Sequence, residues 1–75
     1  MNNAMKIGRR EYTITKVHNL TNNYGQKQTA TDLTGKRGAQ LTLIETHCKY
    51  GTVAKLIHYG RMSPAETVDP STIQR

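Results

Sequence analysis

The chain has 75 residues, of which 35% are hydrophobic, with one cysteine and neither Phe nor Trp, so it has room for a single small domain with a thin core. A lone cysteine excludes an internal disulfide and a cysteine-rich zinc site. No apolar run approaches the ~20 residues that cross a bilayer or the roughly 7 to 15 residues of a secretory signal, so we expect a cytoplasmic protein. Eleven Lys and Arg against five Asp and Glu give a net charge of +6, which favours polyanionic partners.

The first two predicted strands flank a polar turn. Residues 10–20 (REYTITKVHNL) alternate and are rich in β-branched and aromatic side chains, which is typical of a strand. Residues 21–26 (TNNYGQ) supply Asn and Gly, which tolerate a positive φ and favour a turn. Residues 27–34 (KQTATDLT) are short and polar, as expected of an edge strand that buries little. This strand ends at TGKRG, residues 34–38, where two cations lie between two glycines.

A second hairpin is predicted from the alternation in residues 39–48 (AQLTLIETHC) and 52–61 (TVAKLIHYGR). We expect residues 49–51 (KYG) to form a three-residue loop with the glycine in a left-handed conformation. The resulting register joins apolar pairs and one pair of opposite charge: Leu41 with Tyr59, Leu43 with Ile57, Ile44 with Leu56, and Glu45 with Lys55. A two-residue turn at Tyr50-Gly51 would instead place Leu43 opposite His58, a poorer match.

The pattern changes at Ser63. The sequence SPAE, residues 63–66, combines an N-capping serine, a proline suited to the first helical position and a glutamate three residues after the cap. A short helical turn is therefore expected to begin at Ser63. It should stop before Pro70, which biases Asp69 away from helix, and the residues that follow are expected to be frayed.

Strands joined by short turns, without a long helical period, predict an all-β fold. We expect a small antiparallel meander that closes into a four- or five-stranded barrel of OB or Tudor size, with a short helical turn near the C-terminus. Closure removes exposed edges, and an open curved sheet that dimerises is the alternative. The predicted organisation is a flexible N-terminus over residues 1–5, a single β domain over residues 6–62, and the helical turn with a frayed tail over residues 63–75.

No arrangement of residues in the sequence indicates catalysis. The two serines, Ser63 and Ser71, fall in the predicted tail, and the five carboxylates are scattered along the chain. His47, Cys48 and His58 are candidate zinc ligands. However, His47 and Cys48 are neighbours on a strand, so their side chains point to opposite faces. The predicted register puts His58 on the same face as Cys48, but several residues away from it. In a phosphate-binding loop, the glycines are followed by Lys-Ser or Lys-Thr and then by a helix, and TGKRG has neither. We therefore expect no enzymatic activity, no metal and no cofactor.

Binding is the remaining class, and the cations indicate nucleic acid. Residues 1–62 contain ten Lys and Arg against three Asp and Glu, whereas residues 63–75 contain one against two. Cations on a flexible turn can approach a phosphate backbone, and exposed tyrosines offer flat faces for base stacking. Tyr12 and Tyr59 are expected in the core because they alternate with apolar neighbours. The candidate nucleic-acid-binding residues are Lys36, Arg37, Arg9, Arg10, Lys49, Lys55, Arg61, Tyr24 and Tyr50.

A basic surface also fits a protein partner. The alternative function is an interaction module or inhibitor, of the kind that phages and plasmids encode, which binds an acidic surface or a sheet edge of a host protein. A third interpretation is a structural or assembly protein, such as a homo-oligomer (for example a homodimer) whose thin cores merge. The sequence thus predicts a non-enzymatic binding module whose partner is a nucleic acid or an acidic protein and not a membrane.

Overall fold

The computed structural model describes residues 3–60 and 65–75, which form one antiparallel sheet and one short turn of 3-10 helix. The strands are β1 (Ala4–Ile7), β2 (Arg10–Thr21), β3 (Lys27–Thr34), β4 (Gln40–Cys48), β5 (Gly51–His58), β6 (Ala65–Val68) and β7 (Ile73–Gln74), and the 3-10 turn covers Pro70–Thr72. Over these two ranges, the structure contains no helix with the length and apolar character needed to cross a membrane.

The strand order is β6-β5-β4-β3-β2-β1-β7, so each strand lies beside its neighbour in the chain until β7, which returns to pair with β1. The sheet curls into a half-barrel. The all-β antiparallel fold and the short helical turn near the C-terminus are therefore confirmed. The described residues form seven strands instead of four or five, because β1, β6 and β7 have only two to four residues each and are too short to show an alternating pattern.

The concave face of the half-barrel carries the hydrophobic core. Alternation along each strand sends one apolar set to this face. The buried members are Met5, Ile7, Tyr12, Leu33, Leu41, Leu43, Ala54, Leu56 and Val68, and Ile14 and Ile73 pack partly buried against them. Leu43 and Leu56 face each other across β4 and β5 and are fully buried, so they mark the centre of the core.

A β-bulge in β2 changes which side chains face the core. The pairing of β2 with β3 shifts between Ile14 and Lys16, so Thr15 is an extra residue. Without it, Lys16 would follow Tyr12 and Ile14 onto the concave face, as simple alternation predicts. With it, Val17 takes that side opposite Thr31, and Lys16 lies on the convex face.

The predicted register of the β4–β5 hairpin is wrong. The connection has two residues, Lys49 and Tyr50, and pairs Cys48 with Gly51, whose φ is +135°. Every pair is shifted by one residue from the prediction, so Leu43 faces Leu56 and Glu45 faces Ala54. A one-residue shift turns the whole of β5 over. The observed register buries Leu56 and Ala54 and leaves the Lys55 ammonium on the exposed convex face, which avoids the cost of burying a charge.

The C-terminal segment belongs to the sheet. Ser63 and Pro64 lie outside the described residues, but Glu66, expected in a helical turn, is in β6, which pairs with β5. The 3-10 turn comes later, over Pro70–Thr72, where the Asp69 carboxylate caps it by accepting a hydrogen bond from the Ser71 N–H at 3.0 Å.

Both predicted terminal segments contribute to the domain. In the segment predicted as a frayed tail, Ile73 pairs with Ile7 and packs on the core. Met5, which was expected in a flexible N-terminus, is 1% exposed. Burial of these two apolar side chains stabilises the described parts of both segments, because each removes hydrocarbon surface from water.

Candidate functional site

Two loops meet at one end of the half-barrel and form a basic cleft. The first is the β1–β2 turn around Gly8 and Arg9, and the second is the β3–β4 loop over residues 35–39. Antiparallel strands bring these turns to the same end of the sheet. The cleft is a shallow depression of about 390 Å³ that is lined by Arg9, Arg10, Glu11, Tyr12, Gly35, Lys36, Arg37 and Ala39.

Glycines and backbone hydrogen bonds fix the β3–β4 loop. The Gly35 N–H donates to the Ala39 carbonyl at 2.8 Å, and the Gly38 N–H donates to the Gly35 carbonyl at 3.1 Å. Gly38 has a φ of +77°, which favours glycine. A Cβ on Gly35 would lie 3.3 Å from the Ala39 Cβ and 3.9 Å from the Tyr12 ring, so the loop packs close to Tyr12. This tight turn leaves the two residues at its tip, Lys36 and Arg37, exposed to solvent.

The cations of the basic cleft differ in how far their charge is compensated. Arg9, Lys36 and Arg37 are exposed and make no ion pair with another described residue. Arg10 instead donates to a Glu66 carboxylate oxygen at 2.8 Å. Glu11 adds one negative charge to the lining. The cleft therefore carries a positive charge that comes mainly from three free side chains on two separate loops.

Glu66 connects the cleft to the core. Its second carboxylate oxygen lies 3.0 Å from Nε2 of His58, a side chain that is 8% exposed. The hydrogen bond from Arg10, and then the one from His58, lower the pKa of Glu66, and the same hydrogen bond with Glu66 raises the pKa of Arg10. An ionised Glu66 holds the Arg10 guanidinium at the edge of the cleft. Sequence reasoning missed this carboxylate, because Arg10 and Glu66 are 56 residues apart and no local pattern links them.

The structure brings together four of the nine candidate residues and places four others away from them. Arg9, Arg10, Lys36 and Arg37 line the basic cleft. Tyr24, Lys49 and Tyr50 lie in the turns at the opposite end, beyond the nine residues of β4, which span roughly 27 Å. Lys55 is on the convex face of β5, and Arg61 lies outside the described residues.

Tyr24 and Lys55 belong to a second concavity, on the convex face. This convex groove has a volume of about 470 Å³, and its lining combines apolar side chains with amides and hydroxyls: Asn22, Tyr24, Gln26, Gln28, Ile44, Thr46, Cys48, Val53, Lys55, Ile57 and Ala65. The Asn22 side-chain oxygen accepts from the N–H groups of Tyr24 and Gln26 at 3.0 and 2.9 Å, which holds the turn that presents Tyr24. The Tyr24 side chain is 88% exposed at the rim of the groove.

A chain of polar contacts crosses the convex face. His18 Nε2 lies 3.1 Å from one Asp32 oxygen, the Thr42 hydroxyl donates to the other at 3.0 Å, and Thr42 is 3.1 Å from the Tyr59 hydroxyl. The His18 hydrogen bond, followed by that of Thr42, lowers the pKa of Asp32. Tyr59, which was expected in the core, is 59% exposed, because it follows the last residue of β5 and the observed register turns its side chain to the face opposite the core.

The candidate zinc ligands do not converge. His47 lies within hydrogen-bond distance of Thr29 and Thr52 on the concave side, and the Cys48 sulfur accepts from Gln26. His58 shares the concave face with Glu66, so the prediction that it shares a face with Cys48 is wrong for the same reason as the register. Within residues 3–60 and 65–75, no group of three or more His, Cys, Asp or Glu side chains is arranged to hold a metal ion.

Glu45 is paired with a residue that sequence reasoning did not consider. It was expected to face Lys55, but it is buried opposite Ala54 and accepts a hydrogen bond from the Arg75 guanidinium. A buried carboxylate is tolerated when a cation compensates it. This contact joins Arg75 to the centre of the sheet, so Arg75 has a structural role and does not contribute to the basic cleft.

These features define a small all-β protein with a basic cleft at one end of its sheet and an apolar groove on its convex face. Comparison of the chain with protein-family models, curated proteins and solved structures finds no significant match. The functional assignment therefore depends on the charge and geometry of these two concavities.

Proposed function

We propose that this protein is a non-enzymatic binding module that binds nucleic acid through the basic cleft. The observation that supports the proposal is the convergence of Arg9, Lys36 and Arg37 from two loops, each exposed and free of an ion pair with any described residue. Uncompensated cations on adjacent loops are suited to neutralising successive phosphates, and each contact releases condensed counterions. Arg9 and Arg37 can each offer two parallel N–H donors to a phosphate, whereas Lys36 acts as a point charge.

Arg10 has a different role in this proposal. Its hydrogen bond to Glu66 uses one of the N–H donors of the guanidinium and offsets its positive charge. It therefore shapes the edge of the cleft more than it attracts phosphate. Three phosphate contacts by the other cations give a log-log salt slope of about −2.7 on duplex DNA, or about −2.1 on a single strand.

The exposed tyrosines contact only a nucleic acid that is long enough to extend from the basic cleft to the opposite end of the sheet. Tyr24 and Tyr50 are 88% and 94% exposed, so both offer ring faces for base stacking. They lie a strand length from the cleft, roughly 27 Å for the nine residues of β4. A short oligonucleotide in the cleft does not reach them, whereas a longer single strand that follows the sheet does.

The test is fluorescence anisotropy with labelled single-stranded and duplex oligonucleotides at about 50 and about 200 mM salt. The variant Lys36→Ala/Arg37→Ala should reduce affinity and make the salt slope shallower by about two. The matched control, Lys49→Ala/Lys55→Ala, removes the same charge away from the cleft and should change the slope less. Equal effects of the two variants would mean that net charge alone attracts the ligand, and no binding by the unmodified protein at the lower salt would contradict the proposal.

A protein partner is the second candidate, and the convex groove is the observation that favours it. Its lining includes the apolar side chains of Ile44, Val53 and Ile57, and Val53 is half-exposed. An interface over such a surface depends on apolar burial, so its affinity should respond little to salt. Binding that survives high salt and is lost in Val53→Asp would favour this candidate over nucleic acid.

A further inference from the structure

The longest strand of the sheet is paired on both sides over only part of its length. β2 has 12 residues, and β3 pairs with it from Thr13 to Thr21. On its other side, β1 pairs only with residues 10–13, and the Ile14 N–H donates to the Asn3 carbonyl. Residues 16–21 have no strand partner on that side among the described residues. We call this stretch the free edge of β2, and it is about 20 Å long.

Most of the free edge lacks the features that usually keep sheet edges apart. Proteins protect edges with lysines, prolines, bulges or very short strands. Lys16 and the bulge next to it protect one end of the free edge. Residues 17–21 (VHNLT) contain no proline, lysine or carboxylate. Val17 and Leu20 are 54% and 50% exposed and project from opposite faces of the sheet, so the segment offers apolar contacts on both sides of a new strand.

We propose that a second copy of this chain pairs with the free edge in antiparallel orientation, with the two-fold axis beside Asn19. An antiparallel strand pair is self-complementary, because the same segment forms both sides of the interface. In this register, Val17 faces Thr21 of the second copy, His18 faces Leu20, and the two Asn19 side chains face each other. These pairs combine apolar and amide contacts and place no like charges opposite each other.

The distribution of charge also fits a second copy. The free edge has one formal cation, Lys16, and the two-fold axis places the two Lys16 residues at opposite ends of the interface. The antiparallel arrangement also points the basic clefts of the two copies in opposite directions, away from the two-fold axis, so the clefts are far apart and their repulsion is screened by salt. The interface is independent of nucleic-acid binding, and it would display two clefts at opposite ends of one continuous sheet.

Sedimentation of the full chain from about 10 to about 500 µM tests the proposal, because dimer formation depends on concentration. The mass should rise from 8.4 kDa towards twice that value. Asn19→Lys and Asn19→Glu should each remain monomeric, because each places two like charges face to face. An equal mixture of the two variants should restore the dimer. This rescue also shows that both variants are folded, and it is specific to the register at Asn19.

Val53→Lys is the matched control, because it adds a lysine at another half-exposed position, on β5, and should not alter dimerisation. A monomer throughout the concentration range would overturn the proposal and leave the free edge to a strand from a different protein. A dimer that persists in both Asn19 variants would also overturn it, since the interface would then lie elsewhere.

Discussion

The two ends of the half-barrel are built from turns of similar length but present different chemistry. The cleft end has Arg9, Lys36 and Arg37 on exposed turns without ion pairs to other described residues. The opposite end presents Tyr24 and Tyr50, together with the rim of the convex groove. Net charge is a property of the whole chain, but a phosphate meets only the cations that the turns bring together. The comparison shows that the antiparallel topology, and not the net charge of +6 by itself, gathers three free cations at one end of the sheet.

The largest expected effect comes from removing the free cations of the cleft end. With three phosphate contacts, the unmodified protein should lose about 40-fold in duplex affinity between 50 and 200 mM salt. Arg9→Ala/Lys36→Ala/Arg37→Ala should bind weakly and show little salt dependence over the same range. Anisotropy titrations at four salt concentrations measure the slope. A slope that is unchanged in this variant would place the phosphate contacts elsewhere on the molecule.

The next effect concerns the carboxylate that supports the cleft end. Glu66→Ala removes the acceptor of both Arg10 and the buried His58, so it should destabilise the fold by about 1 to 3 kcal/mol, the usual cost of an unsatisfied buried polar group. Urea unfolding monitored by circular dichroism measures the change. Glu11→Ala is the control, because Glu11 is exposed and is expected to have little effect on stability. Equal stability of the two variants would contradict a structural role for Glu66.

Acid should weaken the cleft end through the same residue. The pKa of folded Glu66 lies below its ordinary value of 4.5, so its ionised form stabilises the fold above that value. This contribution is lost as the pH falls from the ordinary value through the lowered one. The stability advantage of the unmodified protein over Glu66→Gln should therefore shrink in acid and be constant near neutrality. Thermal unfolding of both proteins across this pH range measures the difference, and a constant difference would contradict the prediction.

The smallest effect is expected at the tyrosine end. Tyr24→Ala/Tyr50→Ala should leave the affinity for a short oligonucleotide unchanged, because the cleft is roughly 27 Å away. A longer single strand that reaches both ends should lose a fewfold or more in affinity in this variant. A length series of single-stranded oligonucleotides measures the difference. Equal losses for short and long strands would show that the tyrosines act near the cleft and not through an extended ligand.

Much of the fold could be predicted from local pattern, and the errors have identifiable causes. The alternation in residues 10–20 and 39–48 identified β2 and β4, and glycines marked the intervening turns. The register of the β4–β5 hairpin was missed because cross-strand pair preferences are worth less than burying Leu56 and exposing Lys55. Ile73 gave no signal of a strand, since two residues are too few for a periodicity.

Only the part of the candidate site that depends on local sequence was predictable. Lys36 and Arg37 are exposed as expected, because two glycines confine them to a tight turn. Their proximity to Arg9 depends on β1 and β2 folding back beside β3, a contact between distant parts of the chain. The role of Glu66 beside Arg10 depends on the curl of the sheet, which brings β6 next to β2 four strands away, so no spacing in the sequence could reveal it.

The sequence by itself determined the fold class of the protein, which is small and all-β, with a surplus of positive charge and turns marked by glycine. These properties are local or additive, so composition and alternation are enough to establish them. Only the tertiary structure decided which cations share a cleft, which strand has a free edge, and which acids are neutralised by a partner. Such properties depend on the register and curl of the sheet, where a shift of one residue exchanges the buried face for the exposed one.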